Sequence, residues 1–263
     1  MRKIWVIVQK EWSEVFKNRM VFFTVVFLPL MLTAQPLIIL SSIRSSGDLT
    51  GLTAADMPAG FASLCGGLNG AECGQYFFIS VFLLMFMILP LAIPATIASY
   101  SIVGEKTTRT LEPLLATPVT TFELLAGKAA GAAIPAILAT WGAFMIFAGG
   151  ALILSIGPAV VARLFDPLWL MAVFLVGPLL AIASVSVAVM VSSRVSDPRV
   201  AEQLSVLVIL PLIGMFFGQI TGLVLINETL ILWMAASLIV IDSLLFWIAL
   251  RLFQRESILT RWK

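Results

Sequence analysis

Side chains able to do chemistry are sparse in this sequence, and the most informative stretch is Gly104-Glu105-Lys106-Thr107-Thr108-Arg109-Thr110-Leu111-Glu112-Pro113-Leu114-Leu115-Ala116-Thr117-Pro118. Leu111, Leu114 and Leu115 form an apolar ridge at helical spacing beside Glu105, Arg109 and Glu112, and Pro118 ends the element. Such a ridge with a charged rim suits a cleft in a soluble partner, and it equally suits a connecting helix resting on lipid. Thr120 with Glu123 three residues on has the form of a capping box, which starts the next helix.

Catalysis of the common kinds is excluded by what is missing. There is no histidine, so the usual general base, the usual metal ligand and every Ser/His or Cys/His arrangement are gone. No metal site is expected. No GxxxxGK[ST] phosphate loop exists either; the nearest string, Gly127-Lys128, is followed by Ala129 and has Phe122 where the first glycine belongs. Cys65 and Cys73 lie in one polar segment, and two readings stand for them, a disulfide or a pair of free thiols. Asp242 lies inside a long apolar run, where an unassisted carboxylate costs on the order of 2.5 to 3.5 kcal/mol. It serves either in ion coupling or as a hydrogen-bonded or protonated acid against a neighbouring helix.

The elements that must position these residues are membrane spans. Hydrophobic residues make up 60% of the chain and charged ones 11%, against about 25% charged in soluble domains, and the apolar residues come in blocks about 20 long, the length that crosses a bilayer. The expected fold is therefore an all-α membrane protein, one transmembrane domain over 1–263 with six spans at 20–43, 76–103, 124–156, 168–191, 200–226 and 230–252. Residues 1–19 read as an amphipathic helix at the membrane interface: Ile4, Trp5, Val8, Trp12, Val15 and Phe16 fall on one face, with Arg2, Lys3, Gln9, Lys10, Ser13 and Lys17 on the other. Residues 44–75 form an outer loop, and 104–122 form the polar connection between spans two and three. Asp197 and Pro198 mark a helix start before span five. An even span count places all Lys and Arg except Arg44 and Arg163 on the side of the amino end, so both ends are expected in the cytoplasm of a cell-membrane protein. Nothing in the charge pattern suggests nucleic acid as a partner.

The order of elements resembles the permease subunit of an ABC exporter of the ABC-2 transport class, with an ABCG-like six-span fold. The resemblance is carried by Lys10-Glu11-Trp12 and Lys17-Asn18-Arg19, by Gly104-Glu105-Lys106 with Thr110-Leu111-Glu112 and Leu114-Leu115-Ala116-Thr117-Pro118, by Ser192-Ser193-Arg194 with Asp197-Pro198-Arg199, and by Arg255-Glu256-Ser257-Ile258-Leu259. It implies that 104–122 holds a coupling helix seated on an ATP-binding subunit, with Glu105, Arg109, Leu111, Glu112, Leu114, Leu115 and Pro118 as the contact set. It places Glu105 in a polar cluster tying the starting helix to the coupling element. It further implies two such ATP-binding subunits, which would hold ATP and Mg while this chain binds no cofactor, and a second permease copy, most simply a homodimer. Spans one, two and five would then line the pathway, making Gln35, Phe82, Phe216 and Gln219 candidate lining residues. The competing classes are an ATP-independent secondary transporter, which wants internal repeats and more polar midplane residues, and a membrane assembly factor.

Overall fold

A computed structural model describes residues 2–46, 58, 61, 65, 68, 70–108, 119–154 and 158–252, and these are helical or in turns, without a strand. In chain order the helices are α1 (Arg2–Lys17), α2 (Arg19–Ser46), α3 (Gly70–Phe86), α4 (Leu89–Thr107), α5 (Thr121–Leu154), α6 (Pro158–Leu164), α7 (Pro167–Met171), α8 (Gly177–Arg194), α9 (Pro198–Val206), α10 (Leu210–Ile220) and α11 (Glu228–Leu252). Six stretches are long and apolar enough to cross a membrane: Val21–Ser42, Glu72–Thr107, Thr121–Leu154, Pro158–Arg194, Pro198–Ile220 and Glu228–Leu252.

Several spans are compound, and prolines explain where they break. Pro90 lies in the first turn of α4, where a missing N–H costs nothing, so the chain turns at Met87-Ile88 and resumes. Span four is assembled from α7, a π-helical turn at Ala172–Val176 and α8, with Pro178 in the first turn of α8. Span five is α9 and α10 joined by a 3-10 turn, with Pro211 following it. Fourth-span helix begins at Pro158, upstream of the expected residue 168, because the short α6 precedes α7. Span five stops at Ile220 instead of 226, because Gly222 adopts a left-handed conformation (φ 73°) that a side chain rarely tolerates and turns the chain toward α11. Pro58 lies against this turn; a Cβ on Gly222 would come 2.6 Å from it.

The core is built around α4, which is apolar on nearly every face and packs on α8, α5, α9 and α2. Leu89, Leu91, Ile93, Ile97 and Ile102 are buried there with Phe86 and Phe147, whose rings sit 5.3 Å apart. Ser184 of α8 donates to the Leu91 carbonyl at 2.5 Å. On the loop side, Cys65 and Cys73 form a disulfide, with Cα atoms 5.4 Å apart, inside a small cluster with Phe61 and Tyr76.

Of all the packing, that of α1 most affects the site. Glycines at 127 and 131 leave no side chain on one face of α5, and Ile7 and Glu11 of α1 occupy the space; an added Cβ would meet them at 2.8 and 2.9 Å. Lys3 also lies 3.9 Å from Glu123. The pairs 3/123, 7/127 and 11/131 keep a constant offset, so the two helices run side by side in the same direction over more than two turns. Farther along, α2 lays Leu37 against Gly150. With 34 residues, α5 is about 51 Å long, about 20 Å more than a bilayer core requires. The surplus equals about 13 residues, and the stretch that α1 lines is the polar-bearing end of that length. Ile7, Val8 and Val15 are buried by this packing, while Trp5 and Val6 stay exposed.

Candidate functional site

At the end of the bundle where α1, α4 and α5 meet, five charged side chains form one network. Lys128 of α5 is the centre: its Nζ lies 2.8 Å from Glu11 Oε1 and 2.7 Å from Glu105 Oε2, and it donates to Ser101 Oγ at 2.9 Å. Lys10 donates to the other oxygen of Glu105 and lies 3.3 Å from Glu14. Ser101 of α4 donates to Glu11 Oε2 at 2.5 Å. Trp12 adds an indole N–H bond to the Gly131 carbonyl at 3.2 Å.

Burial decides how this network behaves. The side chains of Lys128, Glu11 and Glu105 are 3%, 2% and 6% exposed, so their mutual attraction acts in a low dielectric and removing one strands the others. Lys10 is only partly covered. Burial opposes its ammonium, but the hydrogen bond and charge of Glu105, joined by Glu11 and Glu14, outweigh that and hold its pKa above the ordinary lysine value. The cluster is thus a mechanical fastening: α1, the end of α4 and the start of α5 cannot separate without exposing an unpaired buried charge.

Local sequence explains the placement of each member. The Thr120 backbone N–H donates to Glu123 Oε2 at 2.9 Å, and the Glu123 N–H donates to Thr120 Oγ1 at 3.2 Å, the reciprocal cap that the spacing predicts. This fixes where α5 starts, and hence that Gly127, Lys128 and Gly131 face α1. On the other side, Lys106 points away from the cluster and donates to the carbonyls of Ser193 (3.4 Å) and Val195 (3.2 Å) at the end of α8. Asp197 accepts from the Arg199 N–H at 2.8 Å and starts α9 there.

Of the expected partner-contact residues, Glu105 is in this cluster, at the last turn of α4. Arg109, Leu111, Glu112, Leu114, Leu115 and Pro118 lie outside the described residues. Of the expected pathway residues, Phe82 stands on α3, Phe216 and Gln219 on α10, and Gln35 on α2. Gln219 is buried and donates to Ser80 Oγ of α3 at 2.9 Å, which ties α10 to the helix that also carries Phe82. Phe82 is buried against Phe78, Phe216 stacks edgewise on Phe217, and Gln35 stands exposed on α2. Asp242 is buried on α11, and among the described residues neither of its carboxylate oxygens has a hydrogen-bond partner.

Lys128 and Glu11 as a buried pair were not foreseen from the sequence. A signal existed: a lysine inside an apolar run, between glycines four apart, needs a carboxylate to come to it, and the helix that brings one must approach closely enough to use the glycines.

No curated protein matches the chain. A family model described as ABC-2 family transporter protein matches residues 5–253. The match begins within α1 and runs past the end of α11, so it takes in the cluster and all six apolar spans. Since the whole membrane unit is matched and not one motif, the chain belongs to the ABC-2 family of transporter proteins, as its multi-pass membrane permease.

Proposed function

We propose that this permease forms half of the substrate pathway of an ATP-driven exporter, pairing with a second copy of itself while two separate ATP-binding subunits dock at residues 104–122. The observation that supports this reading is the ionic cluster. It fastens the helix leading into that segment, the helix leaving it and the amphipathic first helix into one body. A push delivered at the segment would move all three together, which is what converting closure of an ATP-bound partner into rearrangement of the spans requires. ATP and Mg would be bound by the partner alone. Both chain ends would lie in the cytoplasm, at the cell membrane.

The test is purification with the ATP-binding subunit encoded nearby. Co-elution is expected, with ATP hydrolysis and transport both falling when Leu111 and Leu114 are each replaced by Asp. Transport by the permease in the absence of any ATP-binding subunit refutes the reading. A cysteine at Thr110 that labels from outside overturns the orientation.

A further inference from the structure

The ionic cluster joins α1, α4 and α5, and none of its charged members lies on span four or span five. Resting on the transport reading, in which an ATP-binding subunit docks at residues 104–122, we propose that Lys106 is the positioning residue that passes movement of that segment on to span five. It does so by holding the corner where α8 ends and α9 begins.

Glu105 and Lys106 are neighbours in the last turn of α4 and turn to opposite sides. Glu105 meets Lys10 and Lys128, whereas the Lys106 ammonium donates to the carbonyls of Ser193 at 3.4 Å and Val195 at 3.2 Å. The last carbonyls of a helix have no partner within it, and the helix dipole favours a cation beside them. For α8 that cation comes from α4, 87 and 89 residues earlier in the chain. The end of α8 is thus completed by the turn that enters the docking segment.

The corner is short. Val195 is extended (φ −107°, ψ 151°) and closes α8, and Asp197, two residues on, accepts from the Arg199 N–H and starts α9. A displacement of the Val195 carbonyl therefore reaches the first turn of α9 with little slack between. Farther along, α9 is pinned to the body of α4: Thr96 donates to Glu202 Oε1 at 2.6 Å, and the hydroxyls of Ser99 and Ser205 lie 3.5 Å apart. These pins form a pivot and the corner an arm, so a shift of the last turn of α4 swings α9, and the α10 that continues span five, about residues 202–205. Lys106 is itself only partly buried. Removing its ammonium leaves the two carbonyls to water instead of stranding them, so the arm is lost while the fold is kept.

The test uses the permease co-purified with the ATP-binding subunit encoded nearby, with bimane attached at Leu210→Cys. Leu210 is exposed on α10, within the span and beyond the pivot, and Cys65 and Cys73 are bonded to each other and do not take the label. ATP with vanadate is expected to shift the bimane emission when Lys106 is present. Lys106→Met should reduce that shift at least about fivefold, with ATP hydrolysis staying within about twofold. Lys106→Arg, which can donate to the same carbonyls, should restore the shift; a merely structural role would lower shift and hydrolysis together. An undiminished shift in Lys106→Met, or one that Lys106→Arg does not restore, overturns the proposal and leaves the transport reading standing. Co-elution without any nucleotide-driven shift at Leu210 also overturns the proposal alone, whereas absence of co-elution refutes the transport reading and the proposal with it. Should Lys106→Met not assemble, Lys106→Gln, whose amide is too short to reach both carbonyls, takes its place, and an undiminished shift there overturns the proposal.

Discussion

Replacing Lys128 by Met isolates the fastening between the first helix and the rest of the bundle. Methionine matches the length of the lysine stem, so packing is nearly kept and the loss is that of one charge facing two carboxylates at 2.8 and 2.7 Å. Removing one partner from a buried ion pair costs about 3–5 kcal/mol because the other charge is stranded. Here Glu105 keeps Lys10, and Glu11 keeps the Ser101 hydroxyl, so the lower end applies. About 3 kcal/mol raises the unfolding constant by about a hundredfold. Equilibrium unfolding in mixed micelles by added sodium dodecyl sulfate, followed by tryptophan fluorescence, reads this directly. Replacing Glu11 by Met as well removes the stranded acid and leaves Lys10 with Glu105, so the double variant should recover most of the loss. A single variant within about 0.5 kcal/mol of wild type, or a double variant no better than the single, would refute the reasoning.

Three further outcomes follow from the packing. Gly127→Leu places atoms where Ile7 already lies, 2.8 Å from a Cβ at that position, and should cost about 1–3 kcal/mol. A cysteine at Val8, buried in wild type, should then react with a maleimide at least tenfold faster. Asp242→Leu should raise stability by about 1–3 kcal/mol, since neither carboxylate oxygen has a partner among the described residues. A loss of stability in the same unfolding assay would mean that the carboxyl does useful bonding. Reducing the Cys65–Cys73 bond, whose sequence separation is 8, should cost about 2.5 kcal/mol by chain entropy, read as a lower midpoint with dithiothreitol than without.

Six apolar stretches were legible in the sequence because bilayer thickness imposes a length on them, and length survives any detail of packing. Their internal breaks were only half legible. Pro90 and Pro94 flag an interruption of span two, but the π turn at Ala172–Val176 has no sequence signature beyond the proline that follows it. Glu105 could be placed through the family resemblance. Lys128 could not, because by charge alone it is one more basic residue near the end of a span, and its burial depends on a helix more than a hundred residues earlier in the chain. Which residues of α1 meet another helix was illegible for the same reason. Hydrophobic periodicity groups Trp5 with Val8, while the close approach at Gly127 and Gly131 selects Ile7, Val8 and Glu11 and leaves Trp5 exposed. Periodicity reports which side chains avoid water; it does not separate those that meet lipid from those that meet another helix.

The sequence distance between Glu11 and Lys128 also sets an order on assembly. The first helix leaves the ribosome before these six spans have been made, and its acid must remain hydrated until residue 128 has been synthesised, with the third span entering the membrane behind it. Only then can Glu11 be taken out of water without penalty. The closing of this junction is therefore a late event that reports that half of the bundle is already in place, and a chain that stalls before the third span leaves its first helix undocked.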